Sequence, residues 1–238
     1  MESPELLTAQ PPRARARPAL ARRRRLALGS GLLAAFLLLT VCTAVHAFDA
    51  VDASVDGRFH TLALANAGLV TAIDVLADVG GPSWALGVGL IVAVFFHLYG
   101  DRRRAAFSAL ASLGAFGLAA VLKLLIDRRR PVWRVPVAHA SGTSFPSGHS
   151  AGSAALSAVL VIGVLPLLAA GLRRRAVSLL VAVYAVSVPI SRLVLGVHYP
   201  TDVIGGVLLG TGWTLVCAAL LLRAAPPRAV AGCHRRTR

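Results

Sequence analysis

The chain has 238 residues, of which 56% are hydrophobic and only 15% charged, with mean hydropathy +0.72. A soluble domain carries roughly 25% charged and about 45–50% apolar residues, so this composition excludes a disordered tail protein and disfavours a soluble globule. The formal net charge of +15 rests on 24 arginines and a single lysine, Lys123. On its own, that balance suits nucleic acid or an anionic membrane surface.

In chain order, an Arg-rich arm, residues 1–25, comes first. Its Pro, Ala and Arg content predicts disorder near anionic lipid. The apolar run 26–47 follows and ends Val45-His46-Ala47, which resembles a signal-peptide cleavage site. The run is longer than the apolar core of about 7–15 residues that signal peptides use, and it is expected to stay as a membrane anchor. Five further runs occupy 82–99, 105–126, 149–170, 176–196 and 203–222, each near the ~20 residues that a span needs. Gly and Ala are frequent in them, as close helix packing in lipid requires. Between the first two runs, Phe48 to Gly81 carries Leu62, Leu69, Ile73 and Leu76 at helical spacing, with Asn66, Asp74 and Asp78 elsewhere on the wheel. It reads as an interfacial amphipathic helix, with a loop helix packed on the bundle as the alternative. The expected fold is all-α: a polytopic bundle of six transmembrane helices over 26–222, a basic arm over 1–25 and a basic tail over 223–238. Cys42, Cys217 and Cys233 lie far apart, with no metal-ligand or disulfide spacing.

Alternating the spans places the arm, the loops 101–104 and 171–175 and the tail on one side, with 18 of the 25 basic residues and only three acids, Glu2, Glu5 and Asp101. The other side and the membrane hold seven basic residues and seven acids. This is a positive-inside pattern with both termini cytoplasmic. The excess charge therefore reports orientation, and nucleic acid is not an expected partner.

A few charges break the pattern. Lys123 sits in the last turns of the third span and Arg192 near the end of the fifth. Ionisable groups at such depth mark functional sites, unless, as for Lys123, the side chain snorkels to the interface. The outer loop 127–134 (Asp-Arg-Arg-Arg-Pro-Val-Trp-Arg) carries four arginines, which suggests a bound anion. For Arg128, Arg129, Trp133 and Arg134 the readings are headgroup contact or plain interfacial anchoring. Ser144-Phe145-Pro146-Ser147-Gly148-His149 turns into a helix whose free N-terminal amides bind anions. His198 and Asp202 are four apart across a Tyr-Pro turn, which lets the carboxylate fold back on the imidazole and orient it. The topology gathers Lys123, Arg130, Ser147, Gly148, His149, Arg192, His198 and Asp202 at one membrane face, a site for a tetrahedral oxyanion.

Lys123-x6-Arg130-Pro131, Pro146-Ser147-Gly148-His149 and Ser191-Arg192-x5-His198-x3-Asp202 resemble the three signature motifs of the type 2 phosphatidic acid phosphatase superfamily. All eleven positions match, within residues 123–202. The resemblance is to the membrane lipid phosphatase branch rather than the larger, soluble haloperoxidases. It implies that His198 is the nucleophile that forms a phosphohistidine, that Asp202 orients it, and that His149 protonates the leaving oxygen and then activates water. It implies that Lys123, Arg130, Ser147, Gly148 and Arg192 hold the phosphoryl oxygens without a metal or other cofactor. Three cations suit the spreading charge of phosphoryl transfer. The expected activity is hydrolysis of the terminal phosphate of a lipid phosphate or pyrophosphate from the extracytoplasmic side, with undecaprenyl pyrophosphate, phosphatidic acid and phosphatidylglycerol phosphate as candidates. The alternative is a non-catalytic protein that binds or translocates phospholipids. Oligomeric state is not legible.

Overall fold

A computed structural model describes residues 12–222. The predicted tail 223–238, including Cys233, and residues 1–11 of the arm lie outside the described residues. Eight α-helices follow one another: α1 Pro12–Ala44, α2 Asp49–Ala65, α3 Ala67–Val79, α4 Pro82–Leu98, α5 Arg102–Ile126, α6 Gly148–Val159, α7 Leu172–Val194 and α8 Pro200–Leu221. There is no strand among the described residues.

Four of these helices, together with α6 continued to Leu167, are long and apolar enough to cross a bilayer: Ala19–Ala44 within α1, α5, Gly148–Leu167, α7 and α8. α4 is apolar with 17 residues, at the short end of the spanning range. The result is a multi-pass helical bundle. Large apolar side chains such as Leu37, Leu38, Ile91, Leu124 and Leu179 point outward, as they do where the surrounding medium is lipid. α6 ends in a π-helical turn, Leu160–Val164, and a 3-10 turn, Leu165–Leu167, where Pro166 removes a backbone donor.

α8 is the central post, packed against α1, α6 and α5. Missing side chains make these contacts possible. A Cβ on Gly206 would lie 2.4 Å from the Ser147 carbonyl oxygen, and one on Gly210 would lie 2.2 Å from that of Ala151. The four-residue spacing presents both gaps on one face. On another face, Phe36 of α1 and Phe145 stack at 5.8 Å in a core with Ala119, Ala151 and Leu209.

Two expectations change in detail. The arm predicted to be disordered is helical from Pro12, continuous with the first span. Its Arg22 Nε donates to the Ala219 carbonyl at 3.0 Å, satisfying one of the orphan acceptors that end α8. The segment between the first two spans is two helices that meet at 113°, with Asn66 between them. Leu62 and Leu69 are exposed, and the buried face of α2 is Asp52, Asp56, His60 and Ala63, at four-residue spacing or close to it. Only α3 keeps the expected apolar contact, with Ile73 packed on the cluster of Ala77, Leu195 and Val197.

Candidate active site

Four segments converge at one end of the bundle: the last turn of α5 with the loop 127–147, the N-terminus of α6, the turn after α7, and the N-terminus of α8. α5 stops because Asp127 takes a left-handed conformation, φ 47°, which short polar side chains tolerate. This launches the arginine run into the loop. Lys123, one turn earlier, does not snorkel away. Its Nζ donates to the carbonyls of Thr143 at 2.6 Å and Ser144 at 3.1 Å, while the Thr143 hydroxyl donates to the Lys123 carbonyl.

α6 opens on Ser147, whose Oγ accepts from the Ser150 amide at 3.4 Å and the Ser150 hydroxyl at 3.1 Å. The structure thus gives this side chain a capping role. The amides of Gly148 and His149 lie in the first turn, with no intrahelical acceptor. The Ser147 amide donates to the Asp202 carbonyl at 2.9 Å, which joins the N-termini of α6 and α8. A Cβ on Gly148 would sit 3.9 Å from Lys123 Cε, so the lysine stem flanks that turn.

The turn Leu195–Tyr199 carries His198. Gly196 reverses the chain at φ 63°, and its carbonyl accepts from the Trp133 indole N–H at 2.9 Å. His60 of α2 stacks on the other side of Trp133, with ring centroids 3.9 Å apart. His198 is 2% exposed and Asp202 0%, so each needs partners in the protein. His198 Nδ1 lies 3.4 Å from Asp202 Oδ2. The same carboxylate oxygen accepts from the Tyr199 amide at 2.8 Å and from the Ser144 hydroxyl. The reach back from the third residue of α8 to the residue before the helix is a capping-box contact.

With Nδ1–H facing Asp202, the lone pair of His198 is on Nε2, and Arg130 Nη1 donates to it at 3.0 Å. Arg130 is braced by the carbonyls of Gly142, Val197 and Ser141. Across the site, Arg192 Nη1 donates to His149 Nε2 at 2.9 Å, and the buried Arg192 Nε has no protein partner. Burial pushes the His198 imidazole down to about 4, outweighing the raising hydrogen bond and charge of Asp202, while Arg130 and Lys123 add to the lowering. The ring is therefore neutral at pH 7, with the Nε2 lone pair turned to the Arg130 guanidinium.

Seven of the eight residues expected from the sequence lie in these segments and Arg192 lies in the last turn of α7 beside them, each with the neighbours just described. The structure adds others. Ser144 reaches both members of the His198–Asp202 pair, and Arg128 Nη1 donates to Asp202 Oδ1 at 2.7 Å. Arg128 Nη2 donates to Asp52 Oδ2 at 2.8 Å, and its guanidinium lies over the Tyr199 ring at 4.4 Å. Asp52 belongs to a segment read as amphipathic, where only its burial among non-local partners sets it apart. Arg128 stood in a noted arginine run, with nothing to separate it from Arg129. No group of three or more His, Cys, Asp or Glu with metal-holding geometry occurs among the described residues.

Residues 83–225 match the family model of the PAP2 superfamily. Phosphatidylglycerophosphatase B of Bacillus subtilis is 37% identical over 142 residues, 57% of this chain and 66% of that protein. Decaprenylphosphoryl-5-phosphoribose phosphatase of Mycobacterium tuberculosis is 37% identical over 128 residues, 51% of this chain and 64% of that protein. The chain thus spans just under two thirds of the length of these relatives. Among solved structures, the transmembrane PAP2 type phosphatidylglycerolphosphate phosphatase from Bacillus subtilis superposes with TM-score 0.65 at 30% identity, covering 81% of this chain and 94% of that one. Aquifex aeolicus LpxE shares the fold, with TM-score 0.53 at 21% identity, over 70% of this chain and 94% of that one. With a matched region that contains every motif from Lys123 to Asp202, this chain belongs to the PAP2 superfamily.

Proposed function

We propose that this chain is a membrane phosphatase that removes the terminal phosphate of a lipid phosphate or pyrophosphate through a phosphohistidine. The observation that carries this reading is the His198 ring, buried against Asp202 on one nitrogen and facing the Arg130 guanidinium with the other. In the first step the Nε2 lone pair bonds to phosphorus as the bond from phosphorus to the leaving oxygen breaks. His149, which enters this step as its imidazolium, delivers a proton to that oxygen. Water then attacks phosphorus, His149 takes its proton, and the P–N bond breaks to return the electron pair to His198. Arg130, Arg192, Lys123 and the first amides of α6 neutralise the charge that spreads over the phosphoryl oxygens.

The substrate reading rests on shared chemistry. The two relatives named above are phosphatases of lipid-linked headgroups by their names, and undecaprenyl pyrophosphate, phosphatidic acid and phosphatidylglycerol phosphate all end in the phosphate that this site suits. The positive-inside pattern supports cytoplasmic termini and a site on the extracytoplasmic face, the side on which undecaprenyl pyrophosphate is left. Purified protein in one detergent, offered these three lipids with EDTA, is expected to release inorganic phosphate from at least one. Its rate should stay within about twofold of the EDTA-free rate, because cations stand where a metal does elsewhere. Binding of the lipids without phosphate release would favour the non-catalytic reading.

The state of His198 has its own measurement. Its folded value of about 4 lies below the ordinary imidazole value of 6.5, so the neutral form persists as the pH falls through 6.5 and is lost only near 4. In a histidine-labelled sample, the side-chain nitrogen signals absent from His198→Ala should titrate with a midpoint below 5.5. A midpoint at 6.5 or above contradicts the burial argument.

A further inference from the structure

We propose that Arg128 and Asp52 are positioning residues for the His198–Asp202 pair, so that α2, which lies outside the family-matched region, forms part of the working site. This rests on the phosphatase reading above. Asp202 is held at two points. Oδ2 takes the Tyr199 amide, the Ser144 hydroxyl and the His198 ring, whereas the side-chain donor at Oδ1 is Arg128. Without Arg128 the Oδ1 side loses its side-chain donor, and only the contacts at Oδ2 restrain rotation about the Cβ–Cγ bond. Its contact with Nδ1 is already 3.4 Å, close to the limit at which a hydrogen bond keeps its directing power.

Arg128 is itself fixed. Its Nη2 donates to Asp52, which is 1% exposed, and its Nη1 also donates to the Thr201 hydroxyl at 2.7 Å. Asp52 closes the ring from 149 residues away. Its Oδ1 accepts the Thr201 amide at 3.1 Å and its Oδ2 the Thr201 hydroxyl at 2.6 Å. A carboxylate on α2 thus caps the first turn of α8, one residue before Asp202, where a negative charge is favoured by the helix dipole. One guanidinium bridges two buried carboxylates and stacks on Tyr199. Removing it leaves both charges uncompensated, a change that buried pairs do not tolerate. Burial opposes the charge of Arg128, and the attraction of Asp202 and Asp52 raises its pKa nonetheless.

The test uses the full chain in detergent, with short-chain phosphatidic acid, phosphatidylglycerol phosphate and undecaprenyl pyrophosphate as probes. Arg128→Ala should lower kcat by about 10–100-fold, the range seen when a group that orients a metal-bound histidine is removed, with KM within about threefold. Arg128→Lys, which reaches one carboxylate but not both, should fall between, and Asp52→Asn should follow the same kcat pattern. In an Asp202→Asn background, Arg128→Ala should cost less than about threefold, because its effect runs through that carboxylate. Equal losses in both backgrounds, or a folded Arg128→Ala with unchanged kcat, overturn the proposal. Should Arg128→Ala fail to fold, Arg128→Lys and Asp52→Asn decide by the same criteria. Should the wild type release phosphate from none of the three lipids, the phosphatase reading fails, and the nitrogen signals of His198 still decide the positioning. Wild type should show one Nδ1–H tautomer, and Arg128→Lys or Asp52→Asn a mixture. An unchanged tautomer in both variants overturns the positioning role.

Discussion

Replacing His198 by alanine should lower kcat for phosphate release by at least about 10⁴-fold, since loss of a covalent nucleophile removes the reaction path rather than one contact along it. KM should change by less than about threefold. The cations proposed to hold the phosphoryl oxygens approach from other segments: Lys123 from α5, Arg130 from the loop and Arg192 from α7. The variant should also elute from size exclusion as the wild type does. The Gly196 turn is held by the Trp133 indole, and the Asp202 carboxylate keeps Tyr199, Ser144 and Arg128. Rapid mixing with lipid 32P-labelled in its terminal phosphate gives a second reading: label trapped on the protein by an alkaline denaturing quench, in which a phosphohistidine survives, should be present in the wild type and absent from His198→Ala. Activity within tenfold of wild type in the variant would remove the phosphohistidine from the mechanism.

Gly210→Leu should prevent the native fold. The Cβ alone would stand 2.2 Å from the Ala151 carbonyl oxygen, and a backbone atom inside α6 has no rotamer through which to retreat. Overpacking a core costs about 1–3 kcal/mol where side chains can shift, and the cost here exceeds that because helix must part from helix. The seam between α6 and α8 also carries the Ser147–Asp202 backbone bond, so its opening dismantles the site together with the bundle. The expected result is loss of the monodisperse peak in detergent. Gly117→Leu is the control: nothing lies within 4 Å of a Cβ there, and that variant should purify normally.

Much of this was legible in the sequence, for a physical reason. Spans are set by a slab of fixed thickness, so runs of near-constant apolar length reveal α1, α5, α6, α7 and α8 directly. Lys123 and Arg192 carry charge where charge is expensive, and that expense makes them stand out from their surroundings, whereas His198 is marked by its four-residue spacing to Asp202. Where water and protein both solvate a segment, neither signal operates. Phe48 to Gly81 shows the consequence: its leucines suggest one stripe, yet the face that α2 buries is Asp52, Asp56, His60 and Ala63, and Asp52 meets partners up to 149 residues away. Nothing local in the sequence reveals that Thr201 and Arg128 will meet Asp52. Trp133 was equally opaque, since its hydrogen bond to Gly196 and its stacking on His60 are both long-range.

The contact between Arg22 and the last turn of α8 has a consequence for how the molecule can be handled. Ala219, which accepts it, and Asp202 belong to one continuous helix, and at 1.5 Å per residue they stand about 26 Å apart. That is close to the full depth of a hydrocarbon core. The basic stretch that enters α1 and the end of α8 therefore meet at one end of the bundle, while the His198–Asp202 pair lies toward the other. A fusion or tag joined directly after Leu222 starts at the end of α8 far from His198. A compartment-sensitive reporter placed after α8 reads the side that His198 does not face.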